Sequence, residues 1–230
     1  MKTLTTLASA LVACTLAAQS PTVQGEKRAQ IFGEFSRPKQ VTIAQYPGDV
    51  KDQADNQMGL GLRFLGEMPG TSNWYFEFGG KLESSSKMGF NQSLAGPPAI
   101  SINMTKVSVR YSYWELGGAY LWDLAPGFSL GAHLDLRSET IDATGPVAVT
   151  NGSGSGNISQ RASMVRPWVR LSGDISFGKG SLAPYLGLDV AYTPIQTSQT
   201  QVVAPSLIDE RTVKAMAPQF GATIYFGLKF

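Results

Sequence analysis

The segment Met216–Phe230 alternates over fifteen residues. Met216, Pro218, Phe220, Ala222, Ile224, Phe226, Leu228 and Phe230 occupy one parity, with Ala217, Gln219, Gly221, Thr223, Tyr225, Gly227 and Lys229 between them. A repeat of two is the signature of a strand with two unlike faces. Seven further segments carry or tolerate the same alternation, at about 28–45, 57–67, 73–88, 104–123, 128–143, 160–177 and 182–198. The connections alternate in length. Those at 46–56, 89–103, 144–159 and 199–212 are long and polar, whereas 68–72, 124–127 and 178–181 are short. The short ones hold Pro69-Gly70, Pro126-Gly127 and Gly178-Lys179-Gly180, which is turn chemistry. The expected fold is all-β, an eight-stranded antiparallel up-and-down barrel.

Two strands break the pattern. In the first, Ile31, Gly33, Phe35, Val41 and Ile43 share a parity with Arg37 and Lys39, and Pro38 interrupts. A bulge, or a late strand start, would restore the alternation. In the fourth, Val107, Val109, Tyr111 and Tyr113 are odd while Trp114, Leu116, Tyr120 and Trp122 are even, which calls for a bulge near Tyr113.

The apolar face could line a soluble barrel or meet a bilayer. Phe64, Trp74, Trp122, Phe128, Phe177 and Phe230 all lie on the apolar parity at the rim of the tight turns. Six rings cannot converge on the mouth of an eight-stranded cylinder, so they point outward, as the aromatic girdle of a membrane interface does. The opposite face then fills the lumen with Arg63, Glu77, Lys81, Glu83, Arg110, Glu115, Asp135, Arg137, Glu139, Arg166, Arg170, Asp174, Asp189 and Lys229, plus His133. Seven positive and seven negative groups suit a network of ion pairs, because an unpaired buried charge costs several kcal/mol. A plugged barrel is expected rather than an open channel. Gly59, Gly61, Gly79, Gly131 and Gly187 make room inside for long Arg and Lys side chains. Pro167, Pro184 and Pro218 fall on the lipid-facing parity near strand ends.

Composition narrows the function. A formal net charge of +2 offers nothing to nucleic acid. No stretch after the N-terminus approaches the length of an apolar transmembrane helix, a test that barrel strands escape. Residues 1–19 read as a secretory signal peptide cleaved near Ala17–Gln19, residues 20–27 as a periplasmic lead-in, and residues 28–230 as the barrel. A rival reading is that Leu11-Val12-Ala13-Cys14 resembles a lipoprotein lipobox, with Cys14 lipidated. Cys14 is the only cysteine, so no internal disulfide is available.

No cofactor is expected. One histidine supports no zinc or copper site, and Asp49, Asp52 and Asp55 lack a calcium-loop signature. His133 and Asp135 share a face with Arg137 and Glu139, which admits a general-base reading. A histidine satisfied within the lumen network is the favoured reading.

In its architecture and C-terminal strand the chain resembles small bacterial outer-membrane β-barrels of the OmpA/OmpX type. That resemblance covers nearly the whole mature chain. It implies that Gln219, Gly221, Ile224, Phe226 and Phe230 form the signal read by the barrel-assembly machinery. It further implies an outer-membrane location, outer-membrane lipid as surroundings, a monomer, and a structural or surface-interaction role through loops whose ligand is unknown. An OmpW-like pore for apolar compounds and a lipid A-modifying enzyme are the alternatives.

Overall fold

A computed structural model describes residues 25–38, 41–43, 50–52, 55–94, 100–150, 154–178, 182–195 and 210–230. The expected signal peptide with Cys14, most of the expected lead-in, Asp49 and the tips of the long connections lie outside the described residues. In chain order the elements are β1 (Lys27–Ser36), β2 (Val41–Ile43), β3 (Val50–Asp52), β4 (Gln57–Glu67), β5 (Trp74–Leu94), β6 (Ile100–Ala125), β7 (Phe128–Thr150), β8 (Gly154–Ser176), β9 (Ala183–Tyr192), α1 (Glu210–Ala215) and β10 (Phe220–Lys229).

Eight strands close into a barrel in the order β1-β10-β9-β8-β7-β6-β5-β4, while β2 and β3 form a separate hairpin. Every neighbouring pair is antiparallel, and β1 closes the ring by pairing with both β4 and β10. Up to the ends of the shorter strands, closure removes the unpaired edge that an open sheet would present. Gly127 in the β6–β7 turn and Gly70 in the β4–β5 turn take positive φ, 82° and 73°, where a side chain would be strained.

The wall is not of even height. Strands β1, β4, β9 and β10 have 10 or 11 residues, whereas β5 to β8 have 21 to 26. The long connections expected at 89–103 and 144–159 are therefore largely β-ribbon that continues the strands. Half of the barrel rises well past the other half at the end opposite the tight turns.

The polarity is inside out. Trp74, Leu130 and Phe226 are 50%, 38% and 51% exposed, while Arg170 in the lumen is 1% exposed. On β8 the outward positions run Ile175, Gly173, Leu171, Val169, Pro167 and Val165. With a rise of about 3.3 Å per residue and a tilt of roughly 40°, this stretch is about 25 Å tall. That is the apolar thickness a bilayer presents to such a barrel.

Three details differ from the sequence expectations. Strand β1 ends at Ser36, before Pro38, and residues 41–43 join the separate hairpin. The bulge expected near Tyr113 is instead on the neighbouring strand. Lys81 pairs with Tyr113 but Ser84 pairs with Tyr111, so β5 carries the extra residue and β6 keeps its phase. Residues 213–219 are not strand. Residues 210–215 are helical, Met216 and Pro218 are buried, and β10 starts at Phe220. Pro167 also lies mid-strand in β8 rather than near an end. It is tolerated because the β8–β9 ladder stops at Val169, so no bond to β9 is lost there.

Closure also leaves little slack between strands. A Cβ on Gly117 would fall on the Leu134 carbonyl and the Asp135 carboxylate, with the Asp135 Cα at 2.8 Å. Backbone cannot step aside as a flexible side chain can. Gly117→Val should therefore destabilise by at least the upper end of the roughly 1–3 kcal/mol typical of overpacking. Urea unfolding of the reconstituted protein would measure this, and an unchanged midpoint would contradict it.

Candidate functional site

The site to be explained is the lumen, because inward positions along the barrel carry ionisable groups that bury almost completely. They arrange in levels. At the tight-turn mouth Arg28 donates from Nε to Glu26 at 2.6 Å and from Nη1 to Asp174 at 3.2 Å. Lys229 reaches Asp174 at 3.4 Å, and the Tyr75 hydroxyl donates to Glu26 at 3.1 Å.

Above the mouth lies a denser knot. Arg63 Nε lies 2.8 Å from Glu115 and 2.7 Å from Glu77, and its Nη1 reaches Asp189 at 2.9 Å. Arg170 meets Glu77, Asp135 (3.2 Å) and Asp189 (3.3 Å). His133 sits between Glu77 Oε2 at 2.7 Å and Ser172 Oγ at 2.8 Å. Six strands, β4 to β9, supply one carboxylate or guanidinium each to a single cluster, so the cluster ties together strands that are not neighbours in the ring.

The next level is built on Glu34 and Glu139. Lys81 Nζ donates to Glu34 at 3.0 Å, Tyr113 donates to it at 2.6 Å, and Arg137 approaches it at 3.5 Å while also bonding Glu115 at 3.0 Å. Glu139 accepts from Arg166 at 2.7 Å, Trp168 at 2.7 Å and Tyr111 at 3.0 Å. The Arg137 guanidinium lies 4.1 Å from the Tyr113 ring centroid and 4.3 Å from that of Trp168. Such stacking lets a planar cation bury its faces against rings while its edges bond carboxylates.

Above this level the inner face changes character. Val107, Val109, Ile141, Ala143 and Ala162 point inward and are buried, as are Val213, Ala215 and Met216 of the α1 segment. Helix α1 packs against β7 and β8. Arg166 Nη2 donates to the Pro218 carbonyl at 2.6 Å, and the Thr193 amide donates to Gln219 O at 3.1 Å. The open-loop end of the lumen is therefore covered by an apolar cap set on a charged core.

Among the expected lumen residues, Arg63, Glu77, Lys81, Glu115, His133, Asp135, Arg137, Arg166, Arg170, Asp174 and Asp189 lie inside. Arg110 and Glu83 do not. Their side chains are 38% and 51% exposed and pair with each other at 3.1 Å on the outer surface. The cause is the position of the bulge: with β6 unbroken, Tyr111 and Tyr113 turn inward and Arg110 turns out. Phe64, Trp74, Trp122, Phe128, Phe177 and Phe230 are on the outer surface, with Trp74 and Trp122 both packed edge-on against Tyr120. Gly221 faces Glu34 inside, whereas Ile224 and Phe226 are exposed outside and Gln219 precedes the strand. The inward glycines do two jobs. Gly59 and Gly79 lie against Lys81 and Arg63, while Gly61 and Gly187 lie against the rings of Phe32 and Tyr225.

The sequence reading overlooked Glu34 and Arg28. The signal was present, since both occupy the parity opposite to Ile31, Gly33 and Phe35.

Glu77, His133 and Ser172 have the order of hydrogen bonds found in a nucleophilic triad. Chemically, however, Glu77 Oε1 is shared by Arg63 and Arg170, and Ser172 is 8% exposed within the packed lumen. Among the described residues no group of three or more His, Cys, Asp or Glu side chains could hold a metal ion.

No protein-family model matches the chain, and no curated protein matches it in sequence. Solved structures similar to it include the outer membrane protein OprG from Pseudomonas aeruginosa, at 11% identity and a TM-score of 0.47, covering 90% of this chain and 96% of that one. The attachment invasion locus protein Ail of Yersinia pestis is similar at 13% identity and a TM-score of 0.42, covering 90% and 100%. Neisserial surface protein A is similar at 8% identity and a TM-score of 0.40, covering 90% and 98%.

The two kinds of ion pair should separate cleanly on mutation. Glu115→Gln leaves Arg63 and Arg137 short of a buried carboxylate and should cost about 3–5 kcal/mol. Arg110→Gln breaks a surface pair worth roughly 0–1 kcal/mol. Equal losses in urea unfolding from lipid vesicles would contradict this placement.

Proposed function

We propose that the protein is an integral outer-membrane β-barrel with a structural or surface-interaction role, whose lumen is a plug and not a path. The observation that carries this reading is the inverted polarity: a greasy exterior of membrane thickness around an ion-paired interior. Water would solvate such an exterior poorly, while acyl chains satisfy it at no cost in hydrogen bonds. The tight turns face the periplasm, and the tall β5–β8 wall stands outside the cell, where it presents the surface available to partners. The barrel-assembly machinery would read β10 through Gly221, Ile224, Phe226 and Phe230, an assignment that rests on the resemblance of this strand to other barrels.

A transport role would need a continuous polar or apolar passage. The knot around Arg63, Glu77 and Arg170 supports the opposite, since its charges are cross-linked across the bore. An enzymatic role would need Ser172 to reach a substrate.

Cell fractionation should recover the protein with the outer membrane, and unheated samples should migrate faster on SDS gels than boiled ones. In planar bilayers it should show no stepwise conductance. Recovery in the soluble periplasm would overturn the architecture, and steady unitary currents would overturn the plug. A fluorophosphonate probe should leave Ser172 unlabelled in the folded protein; labelling lost on His133→Ala would instead establish a reactive serine.

A further inference from the structure

The outer surface of the β6–β8 wall changes in ordered rows. Leu116, Leu136 and Pro167 are paired across the three strands, followed outward by Trp114, Ser138 and Val165. The next outward row is Ser112, Thr140 and Ser163, small hydroxyl side chains only. The row beyond it is Arg110, Asp142 and Arg161, again directly opposite one another. Lys87 on β5 is exposed and pairs in register with Ser108, two positions beyond Arg110. The first charges above the apolar band therefore form one row, and the arginine backbones are two strand spacings apart, about 10 Å.

We infer that this row binds the phosphorylated headgroup of an outer-leaflet lipid, with Arg110 and Arg161 as the anion-binding groups. The inference rests on the membrane reading above, because only there does the row lie at headgroup depth. Three observations support it. The row is continuous with the lipid-facing band, so a lipid whose chains lie on Trp114, Leu136 and Val165 brings its headgroup to this height. Within the row across β6–β8 two arginines, Arg110 and Arg161, flank a single carboxylate, Asp142, an excess of one positive charge.

The third observation concerns how the arginines are held. Arg161 is 71% exposed and meets Asp142 at 3.6 Å, too long for a good hydrogen bond. Exposed pairs of that kind do little for stability, so the fold does not account for an arginine at this position. A guanidinium fork matches two phosphate oxygens, and it binds them better beside acyl chains than in open water. The hydroxyl row beneath is shallow, which lets both side chains bend toward a phosphate at the interface.

The test uses the full-length protein in phosphatidylcholine nanodiscs, titrated with fluorescent bisphosphorylated lipid A and with its dephosphorylated form. Insertion is read separately by the gel shift on heating. Wild type should prefer the phosphorylated lipid, and the Arg110→Gln/Arg161→Gln pair should weaken it by about tenfold or more while the gel shift persists. Asp142→Asn should act in the opposite direction and tighten binding, since it removes the competing carboxylate between the two arginines. Millimolar inorganic phosphate should not compete, because without acyl chains it has no anchor on the band. Equal binding of both lipids, or a double variant indistinguishable from wild type, would overturn the inference and leave the membrane reading intact. Absence of insertion would overturn both. Displacement by free phosphate would show an anion site unrelated to lipid and would also overturn it.

Discussion

Glu115 holds Arg63 with one oxygen and Arg137 with the other, and those two arginines lead to Glu77, Asp189 and Glu34. An eight-stranded cylinder has no second layer to pack against, so its interior must be filled by its own side chains. Apolar filling would leave both faces of each strand greasy. Charged filling keeps the alternation but exposes the structure to a large desolvation penalty, which is offset only if each ion is met from several sides. Convergence of β1 and β4 to β9 on shared carboxylates meets that requirement. Closure of the ring and pairing of the charges thus support each other: the β1–β10 ladder brings the opposing strands within reach, and the network holds them there.

The same logic explains why the interior changes toward the tall end. Where β1, β4, β9 and β10 stop, the ring is no longer complete, and a charged inner face on β5–β8 would have no opposing strands to pair with. The inner residues there include Val107, Val109, Ile141, Ala143 and Ala162, with Gln57 and Ser86 bonded to each other beside Val109, and the α1 segment buries Val213, Ala215 and Met216 at the same end. Below this level the barrel is inside out; above it, the wall and α1 form a small ordinary hydrophobic core with a polar exterior. The rows on the outside of β6–β8 switch from apolar to hydroxyl to charged over the same part of the wall.

The barrel, its strand number and the orientation of its faces were legible in the sequence because alternation and turn chemistry are local. What was not legible follows from this change of environment. Val107 and Val109 look lipid-facing when every apolar side chain is assigned to the bilayer, but they lie where the inner face is apolar. Tyr111 and Tyr113 look equally greasy, yet their hydroxyls bond Glu139 and Glu34 across the lumen, a partnership that only closure creates. Those four residues together displaced the bulge from β5 to β6 in the sequence reading and carried Arg110 and Glu83 to the wrong side. Met216 and Pro218 were misread for the same reason, since a period of two cannot distinguish the last strand from a short helix leading into it.

A charged interior also has a consequence before the barrel exists. The mean hydropathy is −0.05, and no described helix is long and apolar enough to cross a membrane. Alternation keeps each strand close to neutral, so the unfolded chain can remain dispersed in water until closure sorts its two faces. Apolar lumen residues would strengthen the core of the finished barrel but would turn every strand into a continuous greasy run of the kind that aggregates. The arginines and carboxylates of the lumen therefore contribute to both stages. They solvate the strands while the chain is open, and they cross-link the strands once it is closed.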